Sequence, residues 1–307
     1  MMLMLWFLVT FFTAELQAQT GLNDHLNDQW IAFERAGAPN SNLQCFSPKN
    51  VTVSDGYLLI ATRLQSDTCA SFDLRPASYH YTSGFVAMRS FNFLYGTVRV
   101  RARFGGGAGT GAWPVIWMAD ASCQTSDPSG TDDNCNEQEI DVAEILGGNF
   151  RQVNQQIHVD RFKHEDGCKV PVSDVSREFH VYELDWGPRS LVFKIDGATT
   201  CNIVEPYVPN TPMYLKIDTF VGGYGGAVNN ASLPWTTRID YVKITQGSAL
   251  IFNDGFSPEP ADQPVPVITP IWKLENRKLS VAMLTAIVFL AVSAVALACR
   301  LRFGPRK

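Results

Sequence analysis

Charge is scarce in this 307-residue chain, because 18% of its residues are charged whereas 46% are hydrophobic. Such a composition excludes disordered, collagen and coiled-coil proteins. The 25 basic residues are outnumbered by 30 acidic ones, and no basic run precedes the last few positions. The chain therefore lacks the electrostatic footprint of a nucleic-acid-binding protein, and we expect one large hydrophobic core.

Metal-binding and phosphate-binding motifs are also missing. The five histidines are scattered, and no Cys-x-x-Cys or His-x-x-x-His pair occurs, so we expect no zinc site. The glycines of VGGYGG, residues 221–226, have neither the strand-then-helix context nor the lysine of a phosphate-binding loop. We interpret them as turn glycines.

Two apolar segments frame the chain. The run LMLWFLVTFF, residues 3–12, precedes small residues and has the form of a secretory signal, which we assign to residues 1–18. The run from Leu279 to Cys299 holds 21 uncharged residues, and a helix of that length covers about 31 Å, which is one bilayer. An uncleaved N-terminal anchor and a buried C-terminal helix of a soluble core are the alternatives.

The basic residues near the C-terminus indicate orientation. Arg300, Arg302, Arg306 and Lys307 follow the apolar run and mark the cytoplasmic side, so residues 300–307 form a cytoplasmic tail. Five prolines within residues 258–270 favour an extended spacer, and we assign residues 248–278 to a proline-rich linker. The sequence thus predicts an exported body, residues 20–247, anchored to the membrane and facing away from the cytoplasm.

The cysteine count agrees with export. Six of the seven cysteines lie in the body, an even number that is typical of an oxidising compartment. Six cysteines allow fifteen pairings. Because each neighbouring pair brackets a plausible loop or hairpin, we predict the sequential pairing Cys45–Cys69, Cys123–Cys135 and Cys168–Cys201.

The body has the pattern of β-strands. Residues 97–104 (TVRVRARF) alternate strictly between apolar residues and arginines, which predicts a half-buried strand. Asp55-Gly56 and Asp196-Gly197 each separate two strand-like runs and predict tight hairpins. No body segment shows convincing helical periodicity over twelve residues. The sequence therefore predicts an all-β sandwich.

Three acidic residues interrupt one strand-like segment. Glu139, Asp141 and Glu144 lie among apolar residues in EQEIDVAEILGG, although solvated edge positions are a structural alternative. In a regular strand Glu144 would face away from the other two acids, and a bulge near Val142-Ala143 would bring all three to one face. Their mutual repulsion would keep at least one carboxyl protonated, which suits retaining glycoside hydrolysis.

The EIDVAE motif and the preceding GTGAWPVIWM resemble glycoside hydrolase family 16, specifically its laminarinase-like branch. The resemblance continues through the later segments FHVYELDWGPRSLVFKIDG, MYLKIDTFVGGYGG and LPWTTRIDYVKI, and spans about residues 80–245. It implies a jelly-roll β-sandwich of two curved antiparallel sheets that binds sugar along its concave face. It also implies that Glu139 is the nucleophile, Glu144 the general acid/base, and Asp141 an auxiliary acid.

The resemblance also identifies candidate substrate contacts. Trp117 matches an aromatic wall of the sugar site, and His158 matches a histidine near the cleft, although a structural histidine is the alternative. Trp235 either lines the far end of the groove or covers the core. We expect Trp113 to belong to the core, and the family's usual Trp-Pro before the first glutamate is replaced by Asn134 to Gln138.

The sequence as a whole predicts a monomeric enzyme that hydrolyses internal β-1,3 or mixed β-1,3/1,4 linkages of a β-glucan with retention of configuration. A transglycosylase with the same covalent intermediate, and a non-catalytic carbohydrate-binding module of the same fold, are the alternatives. No cofactor is required. Since members of the family bind calcium on the convex face, Asp240 is the position where we would expect a structural calcium ion.

Overall fold

The computed structural model describes residues 26–36, 42–70, 76–124, 138–159 and 164–256. The predicted signal (1–18), membrane helix (279–299) and basic tail (300–307) lie outside the described residues. Within the described part of the chain, no helix is long and apolar enough to cross a membrane.

The described residues form eighteen β-strands: β1 (Trp30–Ala32), β2 (Arg35–Ala36), β3 (Gln44–Phe46), β4 (Val51–Ser54), β5 (Tyr57–Ala70), β6 (Pro76–Ser83), β7 (Phe85–Met88), β8 (Gly96–Arg103), β9 (Ala112–Asp120), β10 (Glu139–Glu144), β11 (Gln152–Val159), β12 (His164–Pro171), β13 (His180–Gly187), β14 (Ser190–Ile195), β15 (Ala198–Val204), β16 (Met213–Val221), β17 (Trp235–Gln246) and β18 (Ala249–Gly255). The helices among these residues are four single 3₁₀ turns: Pro48–Asn50, Ala121–Cys123, Gly223–Gly225 and Asn230–Ser232.

These strands make two sheets. The first has seven strands in the order β1-β7-β16-β9-β10-β11-β12. The second has eleven, with the order β15-β14-β13-β8-β17-β5-β6-β3-β2, while β18 pairs with β17 and β4 pairs with β5. Neighbouring strands are antiparallel except for β3 and β6, which run parallel. The predicted all-β sandwich of antiparallel sheets, of the jelly-roll type, is therefore confirmed.

The core lies between the two sheets. On β8 the apolar residues Val98 and Val100 are fully buried, whereas the side chain of Arg99 between them is half exposed. Ile116 and Ile217 of the seven-stranded sheet belong to the same buried cluster. The strict alternation of β8 thus places one apolar face against the other sheet, as its sequence predicts.

Both predicted hairpins are present. Asp55 and Gly56 connect β4 to β5 with φ angles of 54° and 76°. Asp196 and Gly197 connect β14 to β15 with φ angles of 51° and 76°. Two consecutive positive φ angles match the right-handed twist of a two-residue hairpin, which is why Asp-Gly is favoured there.

Two predicted disulfide bonds are confirmed. Cys45 is bonded to Cys69, and Cys168 is bonded to Cys201. The first bond joins β3 to β5, and the second joins the edge strand β12 of one sheet to β15 of the other. The third predicted bond, Cys123–Cys135, involves Cys135, which lies outside the described residues.

The folded body extends beyond the predicted boundary at residue 247. Strand β18 occupies residues that the sequence assigned to the linker, and it pairs with β17 over its length. Asp254 of β18 accepts hydrogen bonds from the indole Nε1 of Trp30 at 2.6 Å and from Asn27 Nδ2 at 2.8 Å. The predicted linker began too early in the chain. The alternating pattern of ALIFNDG is too short to indicate a strand by itself, and the nearby prolines favoured an extended linker.

Candidate active site

A bulge in β10 sets the geometry of the acidic residues. Asp141 and Glu144, three positions apart, pair with residues two positions apart on β11, so β10 contains one extra residue between them. The register on the other neighbour, β9, shifts between Asp141 and Ala143. The predicted bulge is therefore confirmed, and it turns Glu144 to the face that carries Glu139 and Asp141.

Glu144 is clamped by two side chains. The indole Nε1 of Trp113 donates to one carboxyl oxygen at 2.7 Å, and the amide nitrogen of Gln156 donates to the other at 2.8 Å. A half-turn of that amide would present its oxygen to a protonated carboxyl instead, so Gln156 fits both protonation states. Trp113 was expected to belong to the core, and it is indeed buried, but its indole also serves the site.

Burial keeps Glu144 protonated at neutral pH. Removal from water and the negative charge of Asp141 raise the pKa of Glu144 to about 9, against the opposing hydrogen bond from Trp113. A carboxyl group with this pKa holds a proton that it can donate to a leaving oxygen. Glu144 thus has the chemical state that a general acid needs.

Glu139 is the most accessible of the three acids. Its side chain is 23% exposed, whereas that of Asp141 is 3% exposed. Burial and the negative charges of Asp141 and Glu144 raise the pKa of Glu139, and the Lys216 ammonium opposes this rise. Glu139 is therefore the acid that a substrate can reach most easily, and neighbouring charges of both signs act on its pKa.

His158 links the acids to the next strand. Its Nε2 lies 3.3 Å from Asp141 Oδ2 and 4.0 Å from Glu139 Oε1, and its Nδ1 lies 3.1 Å from Glu165 Oε1. Burial lowers the pKa of His158, but the hydrogen bond to Asp141 and the charges of Asp141 and Glu165 outweigh burial and raise it. The structure places His158 beside the acids, as the sequence predicts, and a protonated ring would offset their charge.

Trp117 of β9 pairs with Asp141 and lies on the sheet face that carries the three acids, which we call the acidic face. Its half-buried indole donates from Nε1 to Asp218 Oδ2 at 2.8 Å, and the Lys216 ammonium lies 4.4 Å from the ring centroid. Burial raises the pKa of Asp218 to about 8, although the Trp117 hydrogen bond and the Lys216 charge oppose it. The ring of Phe85 also stacks on this indole, with centroids 6.3 Å apart, so Trp117 is held by several neighbours and is only partly open to a sugar.

Trp235 is not part of this face. It begins β17 in the other sheet, is 3% exposed, and donates from Nε1 to Ser232 Oγ at 3.0 Å. The structure therefore favours the alternative interpretation, in which Trp235 covers the core, over the predicted contact with substrate. The short segment LPWTT contains too little pattern to distinguish the two positions.

Sequence reasoning missed four residues of the face: Trp113 as a partner of Glu144, and Gln156, Lys216 and Asp218. A signal for the last two exists in MYLKIDTF, where Lys216 and Asp218 alternate with apolar residues although both are buried. The alternation indicates a strand with one polar face, but the burial of that face and its position beside β9 are known only from the structure. Lys216 pairs with Trp117, which in turn pairs with Asp141.

The same cluster offers metal ligands. Among the described residues, one atom each of Glu139, Asp141 and His158 lies within 4.8 Å of the others. A cation held there would cover the Glu139 carboxylate. The carboxylate of Asp240, where calcium was expected, receives a hydrogen bond from Arg101 Nη1 and so has a cationic partner within the chain.

A β-sandwich with a protonated and a more accessible glutamate on one strand face has the machinery of a glycoside hydrolase. Residues 42–245 match the model of the family described as Glycosyl hydrolases family 16. The chain belongs to glycosyl hydrolase family 16. Hydrolases of this family need no cofactor.

Named relatives agree with this assignment. The chain is 27% identical over 180 residues to the keratan-sulfate endo-1,4-beta-galactosidase of Sphingobacterium multivorum, covering 55% of this chain and 40% of the relative. It is 27% identical over 230 residues to a beta-glucanase of Rhodothermus marinus, covering 68% and 75%. The chain thus spans less than half of the first relative and three quarters of the second.

Solved structures show the same fold. The chain is 26% identical to LamA from Zobellia galactanivorans in complex with laminaritriose and laminaritetraose, with a TM-score of 0.62 over 71% of this chain and 92% of that one. It is 25% identical to the laminarinase from Rhodothermus marinus, with a TM-score of 0.59 over 70% and 89%.

Proposed function

We propose that this chain is a retaining endo-β-glucanase that cleaves internal β-1,3 or mixed β-1,3/1,4 linkages through a covalent glycosyl-enzyme. The observation that carries the proposal is the state of Glu144, a buried carboxyl clamped by Trp113 and Gln156, on the same strand face as the more accessible Glu139. Relatives named beta-glucanase and laminarinase support the choice of β-glucan as substrate.

In the first step, the ionised form of Glu139 attacks the anomeric carbon while Glu144 gives its proton to the leaving oxygen. The bond from the anomeric carbon to that oxygen breaks as the bond to the Glu139 carboxylate forms. The raised pKa of Glu144 supplies the proton at neutral pH, so no external acid is needed.

In the second step, Glu144 is ionised and takes the proton of an incoming water, whose oxygen displaces Glu139 from the anomeric carbon. The two displacements restore the original anomeric configuration. Asp141 and His158 lie 3.3 Å apart next to Glu139. Their charges influence the ionisation of Glu139 when it attacks in the first step and when it is displaced in the second.

The acids argue against a non-catalytic binding module of the same fold. Holding Asp141 and Glu144 almost completely buried costs folding free energy, and sugar binding alone does not need it. A transglycosylase would use the same residues with a sugar hydroxyl in place of water. The two reactions differ in their products and not in the geometry of the acids.

We propose further that the body is exported and stays with the membrane through residues 279–299, with the catalytic face outside the cytoplasm. The uncharged 21-residue run and the basic residues behind it support this placement. A monomer suffices for the chemistry, because all three acids come from one strand.

Product analysis tests the activity. We expect the purified protein to shorten laminarin or a mixed-linkage β-glucan, with oligosaccharides as the first products, and Glu139→Gln to abolish cleavage. A galactan serves as a further substrate, because one relative is named a β-galactosidase. If the wild-type protein produces neither cleavage nor transfer on either β-glucan, or acts on the galactan alone, the proposed β-glucanase function is wrong.

A further inference from the structure

The glycine-rich loop after β16 holds one aromatic ring in solvent beside the acid/base. Tyr224 lies in the 3₁₀ turn Gly223–Gly225, and 60% of its surface is exposed. Its ring meets the ring of Trp113 edge to face, with centroids 5.1 Å apart and planes at 83°. Trp113 is the residue that donates to Glu144, so one side chain separates Tyr224 from the proton that is transferred.

Backbone contacts hold this ring in place. Gly147 donates its N–H to the carbonyl oxygen of Tyr224 at 2.6 Å, and Gly222 donates to the carbonyl oxygen of Gly111 at 2.9 Å. A Cβ atom on Gly225 would lie 2.7 Å from that same oxygen of Gly111, so the loop packs as closely as glycine allows. The backbone at Tyr224 is therefore held by the segment that follows β10 and by the segment that precedes β9, in addition to the contact between its ring and Trp113.

The loop that carries Tyr224 lies near the end of β10 that carries Glu144. Glu139 begins the strand and Glu144 ends it, and Gly147, which bonds the Tyr224 backbone, follows Glu144 by three residues. In the proposed mechanism Glu144 faces the glycosidic oxygen, beyond which lies the sugar that leaves. The exposed Tyr224 ring lies at the Glu144 end of β10, next to the indole that donates to Glu144, and so close to where that sugar would bind.

We infer that Tyr224 is a stacking platform for the glucosyl unit that leaves in the first step and for a sugar acceptor in the second. The inference rests on the proposed function, since it needs Glu144 to act as acid and base. The ligand is a β-linked glucose unit, whose apolar face packs on the exposed aromatic ring. The turn glycines then have a function, because they present the ring without covering it.

An acceptor bound on Tyr224 competes with water for the glycosyl-enzyme. Its hydroxyl oxygen bonds to the anomeric carbon, its proton passes to Glu144, and the bond to Glu139 breaks, so that charge and atoms balance. Tyr224 therefore affects two quantities: the affinity for the leaving part of a long glucan, and the ratio of transfer to hydrolysis.

The test compares two substrates. A laminari-oligosaccharide reaches the leaving-group side, whereas a dinitrophenyl β-laminaribioside places no sugar there. We expect Tyr224→Ala to lower kcat/KM for the oligosaccharide about five- to tenfold more than for the aryl glycoside, as the loss of one stacked ring implies. With the aryl glycoside as donor and laminaribiose as acceptor, the ratio of transfer to hydrolysis should fall by a similar factor.

Two variants act as controls. Tyr224→Phe keeps the ring and should retain both quantities. Tyr207→Ala removes another exposed tyrosine, 41% exposed and stacked on His164, and should change neither. A loss on the oligosaccharide with an unchanged ratio of transfer to hydrolysis would mean that Tyr224 acts only through Trp113 and Glu144, because water and the acceptor use the same base. Unchanged values of both quantities would mean that no sugar packs on it. Either result overturns the inference. A wild-type protein that is inactive on every substrate contradicts the proposed function instead.

Discussion

Burial of the Glu144 carboxyl group supplies a proton for catalysis but lowers the stability of the fold at neutral pH. In the unfolded chain this group ionises near its ordinary pKa of 4.5, whereas in the fold burial raises its pKa to about 9. Between these two values the folded state keeps a proton that the unfolded state has lost. The contribution of Glu144 to the free energy of unfolding therefore falls as pH rises through this window.

Removing the ionisable group should stabilise the protein. We expect Glu144→Gln to raise the free energy of unfolding at pH 7 by about 1–3 kcal/mol and to raise it less at pH 5, since each pH unit within the window adds about 1.4 kcal/mol. Thermal unfolding at both pH values measures the effect. Glu34→Gln, at an exposed position, is the control and should change little. A Glu144→Gln variant less stable than wild type at pH 7 would contradict the raised pKa.

At the scale of elements, the loops around the site depend on close backbone packing. A Cβ atom on Gly225 would meet Gly111 O at 2.7 Å and the Ala112 carbonyl group at 3.0 Å, and both are backbone atoms that cannot turn away. The turn that carries Tyr224 therefore has no room for a larger residue at this position.

We expect Gly225→Ala to lower the free energy of unfolding by about 1–3 kcal/mol and to reduce activity as the turn shifts away from Trp113. Gly255→Ala is the matched control, because a Cβ atom there would have no neighbour within 4 Å and the residue ends an edge strand. Urea unfolding of both variants measures the difference. Equal stability of the two variants would show that the loop is not packed as described.

Elements with a strong local pattern could be predicted from the sequence. The alternation of β8, the two Asp-Gly hairpins and the bulge between Asp141 and Glu144 all follow from short-range rules of strand periodicity and turn geometry. The partners of Glu144 could not be predicted in this way. Trp113 and Gln156 come from two different neighbouring strands, and only the register of the sheet brings them to the same carboxyl.

The residues of the β16 face show the same limit. Lys216 and Asp218 alternate with apolar residues, but the sequence does not show that β16 lies next to β9. Trp235 illustrates the opposite error, since a tryptophan near a loop resembles a sugar contact until the sheet it belongs to is known. The order of strands in the sheet therefore decides which residues join the site, and short sequence patterns do not show that order.

At the scale of the whole molecule, β18 sets where the body can be separated from the predicted anchor. The strand pairs with β17, and its Asp254 accepts hydrogen bonds from the side chains of Trp30 and Asn27. The folded body therefore needs residues up to at least 255. A chain cut at residue 247 would lose these contacts and expose the edge of β17.

We expect a chain that ends at residue 272 to be soluble, folded and active, because it keeps β18 and lacks the apolar run at 279–299. A chain that ends at residue 247 should be unstable or aggregate. Membrane fractionation and thermal unfolding of the two chains and of the full-length protein test both statements. If the full-length protein and the chain that ends at 272 fractionate identically, the anchor proposal is wrong.

The roles of Glu139 and Glu144 are tested most directly by azide rescue of their alanine variants on an activated aryl β-glucoside. We expect Glu144→Ala to form the β-glycosyl azide, because azide then attacks the glycosyl-enzyme on Glu139 without help from a base. Glu139→Ala should form the α-azide, because azide replaces the missing nucleophile in a single inversion. Proton NMR of the anomeric products distinguishes the two. If the anomers are exchanged between the variants, the two glutamates have the opposite roles and the central assignment is contradicted.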